Sequence, residues 1–167
     1  RFTLLKIGRI VGRTREARRL LDRHRKKLEQ LQAALTDRLA GKTVALMRPR
    51  DRMIRLLTTA HRTAELLYRD LGLAAPGMIV RAGNTSLPVS LETIPDLDAD
   101  HLFVLEDESN LKLAEEFRST PIWRGLEAVR GNRVYTANTT LWVGYYGPIA
   151  IDRVMDEVAA ALLRPAT

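Results

Sequence analysis

Three arginines fall within five residues in Arg48-Pro49-Arg50-Asp51-Arg52, directly after a short apolar run at 43–47 that reads as a buried strand. A guanidinium is planar, always charged and able to grip a carboxylate with two parallel hydrogen bonds, so this cluster is suited to binding an anion. In open α/β sheets ligands bind beyond the carboxyl ends of the strands, and the position after a strand places the arginines there. A solvated basic loop is the competing reading. A second group, Trp142, Tyr145 and Tyr146, follows a predicted strand at 133–137 in the same sense. These rings supply flat apolar faces and phenol hydroxyls to a ligand, or alternatively pack against the last helix. Glu92, in Val89-Ser90-Leu91-Glu92-Thr93-Ile94, sits in the first turn of a short predicted helix, where its charge complements the helix dipole.

Catalytic motifs are missing. There is no G-x-G-x-x-G or G-x-x-x-x-G-K-[ST] phosphate cradle and no G-x-S-x-G nucleophile elbow. The chain has no cysteine, which excludes disulfides and thiolate metal sites. His24, His61 and His101 lie on separate elements without metal-ligand spacing and read as surface or half-buried residues. Asp96-Leu97-Asp98-Ala99-Asp100 imitates a calcium loop, but His101 replaces the turn glycine and Asp107 the bidentate glutamate. It reads as a polar loop feeding a buried strand. The chain is read as a non-enzyme with no resident cofactor or metal.

The elements that must position these groups alternate between strand and helix. A long helix runs from about residue 14, with Thr14 as N-cap, to a stop at Gly41. Its apolar positions, Leu20, Leu28, Leu31 and Leu35 among them, recur at three and four. Strands are predicted at 43–47, 78–82, 101–105 and 133–137, and helices at 58–71 and 109–117. Ser90 caps a short helix that Pro95 ends. Thr120 as N-cap with Pro121 after it opens another helix, and Gly147-Pro148 the last. This alternation predicts an α/β fold: a three-layer lobe with a mainly parallel sheet of four or five strands, preceded by one long helix.

The net charge of +7 on 167 residues invites a nucleic-acid reading until it is divided along the chain. Residues 1–40 hold 12 Lys and Arg against 4 Asp and Glu, whereas residues 41–167 hold 15 against 16. The basicity therefore belongs to the long helix, which lacks aromatic residues for base stacking and carries a leucine stripe that needs a partner. No apolar run approaches the roughly 20 residues needed to span a bilayer.

The order of the C-terminal segments is informative in itself. Thr120-Pro121-Ile122-Trp123, then Leu126-Glu127-Ala128-Val129-Arg130-Gly131-Asn132-Arg133-Val134-Tyr135, then Leu141-Trp142-Val143-Gly144-Tyr145-Tyr146-Gly147-Pro148 form one connected unit. This unit resembles the end of the binding proteins that deliver ferric siderophores, haem or cobalamin to ABC importers. Ile7-Gly8-Arg9 through Glu16-Ala17-Arg18 to Leu31 is similar to the bridging helix of that family. The resemblance implies that residues 1–41 are the bridging helix and 42–167 the C-terminal lobe, the N-terminal lobe and any leader lying outside this sequence.

It further implies a substrate-binding component that takes a ferric siderophore between two lobes and passes it to a membrane permease. The iron would be held by the chelator, and the rim would be Arg48, Arg50 and Arg52 with Trp142, Tyr145 and Tyr146. Ser90, Glu92 and the following Pro95-Asp96-Leu97-Asp98-Ala99-Asp100 match the context in which the family carries a permease-docking glutamate. A periplasmic or lipoprotein-tethered location goes with this reading. The leucine stripe predicts that the isolated chain self-associates through its long helix. Two alternatives stand beside it: a siderophore-sensing lobe of a transcription regulator, and a binder of nucleic acid or anionic surfaces through the basic helix.

Overall fold

The computed structural model describes residues 2–164. Helix α1 (Phe2–Ile10) and the long α2 (Thr14–Leu39) form a helical hairpin. Gly8 makes this possible, because a Cβ there would lie 2.7 Å from the Cβ of Ala17. The start of α2 is set by this hairpin and not by a side-chain cap. Arg13 occupies the cap position and its N–H donates to the Gly8 carbonyl at 2.6 Å, while the expected cap, Thr14, is already helical. At its other end α2 stops in Ala40 and Gly41, both in the left-handed region.

A five-stranded sheet follows, in the order β3-β2-β1-β4-β5. The strands are β1 (Val44–Arg50), β2 (Met53–Leu57), β3 (Ser86–Val89), β4 (His101–Glu106) and β5 (Val134–Asn138). Strand β1 pairs parallel with β4, and β4 with β5, whereas β2 runs antiparallel to both β1 and β3. Four of the five strands therefore point the same way, as a mainly parallel sheet requires.

Two cores lie on its two faces. On one face, Leu31, Leu35 and Leu39 of α2 pack with Val44, Leu46, Phe103, Leu105 and the inner side of α8 (Pro148–Leu162). On the other face, Ala45, Met47, Ile54, Leu102 and Val104 pack with Ile79, Ile94, Trp123 and Ala128. The latter come from α4 (Gly77–Arg81), the 3₁₀ helix Leu91–Leu97, α6 (Pro121–Gly125) and α7 (Glu127–Arg130). Alternation along β1 sends neighbouring side chains to opposite cores, which gives the three layers.

Thr120 and Pro121 open α6 as expected, with the Thr120 hydroxyl accepting from the Trp123 N–H at 3.2 Å. Gly147-Pro148 likewise opens α8. Other expectations are corrected. Residues 78–82 are not a strand: Met78 and Ile79 lie in α4, where one turn buries Ile79 and leaves Val80 exposed. The sheet is instead extended by β2 and β3, which the sequence reading did not find. The β1–β2 hairpin turns on Asp51 and Arg52, both at positive φ (54° and 59°) without a glycine. The usual two-residue turn signal is thus absent.

The helix expected from residue 58 begins at α3 (Arg62–Glu65), capped by the His61 ring accepting from the Thr63 N–H, and continues as a π-helical turn, Leu66–Asp70. Helix α5 (Leu111–Ser119) starts two residues later than expected, because the Ser109 hydroxyl and N–H turn back to Asp107. Pro95 lies inside the 3₁₀ helix and does not end it. The buried leucines Leu31 and Leu35 belong to the lobe's own core, while Leu20 and Leu21 are half-buried. His101 is buried, at 6% exposure, whereas His24 and His61 are half-buried.

Candidate functional site

The carboxyl ends of β1, β3, β4 and β5 form one edge of the sheet. In register, Pro49 faces Ile54 and Ile54 faces Val89, while Glu106 faces Asn138. Arg48 and Arg50 lie within β1 itself, which ends three residues beyond the predicted strand, and Arg52 is in the hairpin turn. Alternation puts Arg48 on the face that carries Val44 and Leu46, directly opposite Arg55 of β2. Arg48 donates through Nη2 to Asp107 Oδ2 at 2.8 Å, both side chains being mostly buried. The Nε atoms of Arg48 and Arg55 are buried without a hydrogen-bond partner among the described residues. A buried donor left in this state costs about 1–3 kcal/mol, which a water or a ligand oxygen would recover. Arg50 is exposed, its one ion pair among the described residues being with Asp51 at 3.5 Å, and Arg52 is exposed at the turn.

Asp107 is the carboxylate that organises this edge. Its Oδ1 accepts from the Ser109 N–H at 2.9 Å and from the Ser109 hydroxyl. The Ser109 hydroxyl, with the Ser109 amide and the Arg48 charge, holds the Asp107 carboxyl below the ordinary range despite partial burial. Asn110 ties the same turn to β1 and β4, donating to the carbonyls of Pro49 and Leu105. Edge, turn and α5 are therefore locked together.

The aromatic group divides. Trp142 is 3% exposed, packs on Phe103 at a 5.1 Å centroid distance and donates through Nε1 to Glu157 at 2.6 Å. It is a core residue and does not form part of the rim, because the π-helical turn Thr140–Gly144 after β5 directs it inward. Tyr145 and Tyr146 are 60% and 52% exposed. The Arg62 guanidinium sits 3.9 Å over the Tyr146 ring, a cation–π pair. Among the described residues no hydrogen bond, ion pair or ring contact joins Tyr145 or Tyr146 to Arg48, Arg50 or Arg52. The sequence reading had merged these two patches into one.

Three contributors were missed. Arg55 becomes visible only once the hairpin and its register are known. Arg62 lies inside the helix predicted at 58–71, whereas it is in fact the first residue of α3. Asp107 did carry a signal, since Asp107-Glu108-Ser109-Asn110 is an Asx-turn sequence at a strand end. Glu92 is exposed at the first turn of the 3₁₀ helix, which leaves the end of β3 at the same edge of the sheet. No cluster of three or more histidine or carboxylate side chains able to hold a metal lies among the described residues. No helix there is long and apolar enough to cross a membrane.

Comparison with known proteins decides the family. A family model described as periplasmic binding protein matches residues 2–140. The chain belongs to the periplasmic binding protein family. Among curated members, the iron-uptake system-binding protein of Bacillus subtilis is 25% identical over 136 residues, covering 79% of this chain and 43% of that protein. The Fe(3+)-citrate-binding protein YfmC of the same organism is 26% identical over 141 residues, covering 84% and 43%. A solved structure of a FhuD fold-family periplasmic binding protein, a component of a Fep/Fec-like ferrichrome ABC transporter from Bacillus subtilis, superposes with a TM-score of 0.85. It does so at 20% identity over 96% of this chain and 62% of that one, and it shows the shared fold. The chain spans less than half the length of these two curated relatives. This is a family of binding proteins, not of enzymes, and the missing catalytic motifs accord with that.

Proposed function

We propose that this chain is the bridging helix and C-terminal lobe of a substrate-binding protein that takes a ferric siderophore and delivers it to an ABC importer permease. The observation that carries the reading is the carboxyl edge of the sheet. Arg48 and Arg55 present buried, unpartnered Nε donors there, and Arg50 stands exposed beside them. Cationic donors at this edge suit an anionic iron chelate, and the exposed Tyr145 and Tyr146 offer flat faces at a second patch of the lobe. The relatives named for iron uptake and ferric citrate point to the same ligand class. The chelator holds the iron, and Glu92 docks on a basic pocket of the permease. A periplasmic or lipoprotein-tethered location follows from this role, and the isolated chain buries Ile7, Ile10 and the outer leucines of α2 by self-association.

The test is a fluorescence titration of the two-lobed protein with a panel of ferric siderophores, repeated with Arg50→Ala and Tyr146→Ala. Binding of one chelate below about 10 μM, roughly −7 kcal/mol, weakened by both changes, is the expected result. If no chelate binds in that range the ligand class is wrong. If one binds and neither change weakens it, the rim is wrong.

A further inference from the structure

The opposite, amino edge of the sheet holds a cavity of about 450 Å³ that no part of the proposed function uses. It lies between the C-terminal ends of α2 and α8, and Arg38, Lys42, His101, Arg133, Tyr135 and Arg164 line it. Four of these six are cations at neutral pH, and no carboxylate among the described residues lines the cavity. Arg133 is partly engaged, donating through Nε to the Asp100 carbonyl at 2.8 Å and through Nη2 to the exposed Glu127 at 3.2 Å. Arg38 donates to the Arg164 carbonyl at 2.7 Å. Arg38, Lys42 and Arg164 have no carboxylate partner among the described residues.

Capping of helix ends is the simplest account of such cations, and magnitudes decide against it as the whole account. Two helix C-termini supply about −0.5 charge each, whereas four full positive charges surround the cavity. Two groups inside it feel these charges, although burial is the larger influence on each. Burial first, then Arg133 and Lys42, lower the His101 pKa to about 4, with Asp100 opposing. Burial raises the Tyr135 phenol, while Arg133, Arg164 and Arg38 pull it the other way. Arg38, Lys42, Arg133 and Arg164 thus line one cavity together with His101 and Tyr135.

The neutral imidazole adds a second, independent observation. His101 Nδ1 lies 3.0 Å from the Tyr135 hydroxyl. With that hydroxyl donating to Nδ1, the proton sits on Nε2, which is buried and has no acceptor among the described residues. His101 is 6% exposed and lines the cavity, so a group that reaches this donor does so through the cavity. An oxyanion entering the cavity supplies both the missing acceptor and the countercharge for Lys42 and Arg164.

We propose that the cavity between the ends of α2 and α8 is a second binding site, for a small phosphate- or carboxylate-bearing polyanion, remote from the siderophore edge. The site is independent of the siderophore reading, since it uses none of the same residues.

Iron-free inorganic pyrophosphate is the probe, titrated into the chain by calorimetry at fixed ionic strength, with the His101 imidazole followed by NMR. The expected result is saturable one-to-one binding that moves the His101 resonances. Lys42→Glu, at an exposed position, weakens it by about tenfold, and Arg164→Gln, also exposed, by about threefold. Lys112→Glu, an exposed charge reversal on α5, leaves it unchanged. The proposal is overturned by failure to saturate at about 10 mM. Retention of binding in both cavity variants overturns it as well. So does loss of binding in Arg50→Glu with Lys42→Glu unaffected, because the pyrophosphate then sits at the siderophore edge.

Discussion

The two halves of α2 carry similar residues in different surroundings. Leu31, Leu35 and Leu39 are buried against Val44, Leu46, Val154 and Val158, and this half of the helix is part of the lobe. Leu20 and Leu21, about three to five turns earlier, are half-buried in the half of the helix that contacts α1, whose Ile7 and Ile10 face solvent. Between the halves, His24 Nδ1 contacts Asp152 at 2.6 Å, and Lys27 reaches both the Asp152 carbonyl and the Asp156 carboxylate, clamping the helix to α8. The same contrast recurs after β5, where Trp142 is core and Tyr146, four residues on, is exposed. It recurs again in β1, with Arg48 paired and Arg50 exposed. Periodicity groups residues into a face, but what lies opposite the face decides whether it stabilises the lobe or remains available to a partner.

Substitutions at matched positions sharpen this contrast. The largest effect is expected from Leu35→Ala, which opens a cavity in the main core and lowers unfolding free energy by about 3 kcal/mol. Leu21→Ala is expected to cost about 0.5 kcal/mol. Urea unfolding of both measures the gap, and equal losses would mean that the two halves are packed alike.

Next comes Trp142→Phe, which keeps most of the ring packing and removes the Nε1 donor to Glu157, for a loss of about 1–2 kcal/mol. Tyr146→Ala removes an exposed ring and its pair with Arg62, and should change stability by about 0.5 kcal/mol while weakening ligand binding. A large stability loss at Tyr146 with none at Trp142 would reverse their assignment to surface and core.

Asp107→Asn is expected to cost about 1 kcal/mol near neutral pH, because Arg48 then faces a neutral amide. The sign of its pH dependence follows from the lowered carboxyl. A group whose folded pKa lies below its unfolded value stabilises above the unfolded value, about 3.9, and loses that contribution as pH falls through the folded one. The difference between parent and variant should thus be full at pH 6 and close progressively below about pH 4. A difference that grows on acidification would contradict the pairing. Asp51→Asn, at the exposed turn, should show almost no difference.

The smallest stability effect is expected for Glu92→Ala, within about 0.5 kcal/mol of the parent. Its consequence belongs to transport. In the two-lobed protein it should reduce uptake while leaving ligand affinity intact, and equal uptake by variant and parent would remove Glu92 from the docking surface.

Much of this lobe is readable from the chain alone, and for local reasons. Thr120-Pro121 and Gly147-Pro148 open helices because proline fixes φ and needs no N–H there. The 101–106 run is a buried strand because six consecutive positions are buried on both faces of the sheet, which a near-continuous apolar sequence announces. The basic, leucine-striped helix follows from its period, and its excess charge from simple counting.

Where the chain alone misled, the deciding contact was distant in sequence. Met78 to Val80 is rich in strand formers, yet β2 and β3 fill that side of the sheet, so the segment closes one helical turn over the second core. Asp51 and Arg52 turn a hairpin without glycine because the pairing of β1 with β2 holds them at positive φ. Arg48 meets Asp107 across 59 residues, Trp142 meets Phe103 across the sheet, and His101 is enclosed by cations from both ends of the chain. Local propensity reaches only a few residues. The side-chain environments that make a site depend on which elements the sheet brings together, and tertiary packing alone supplies that.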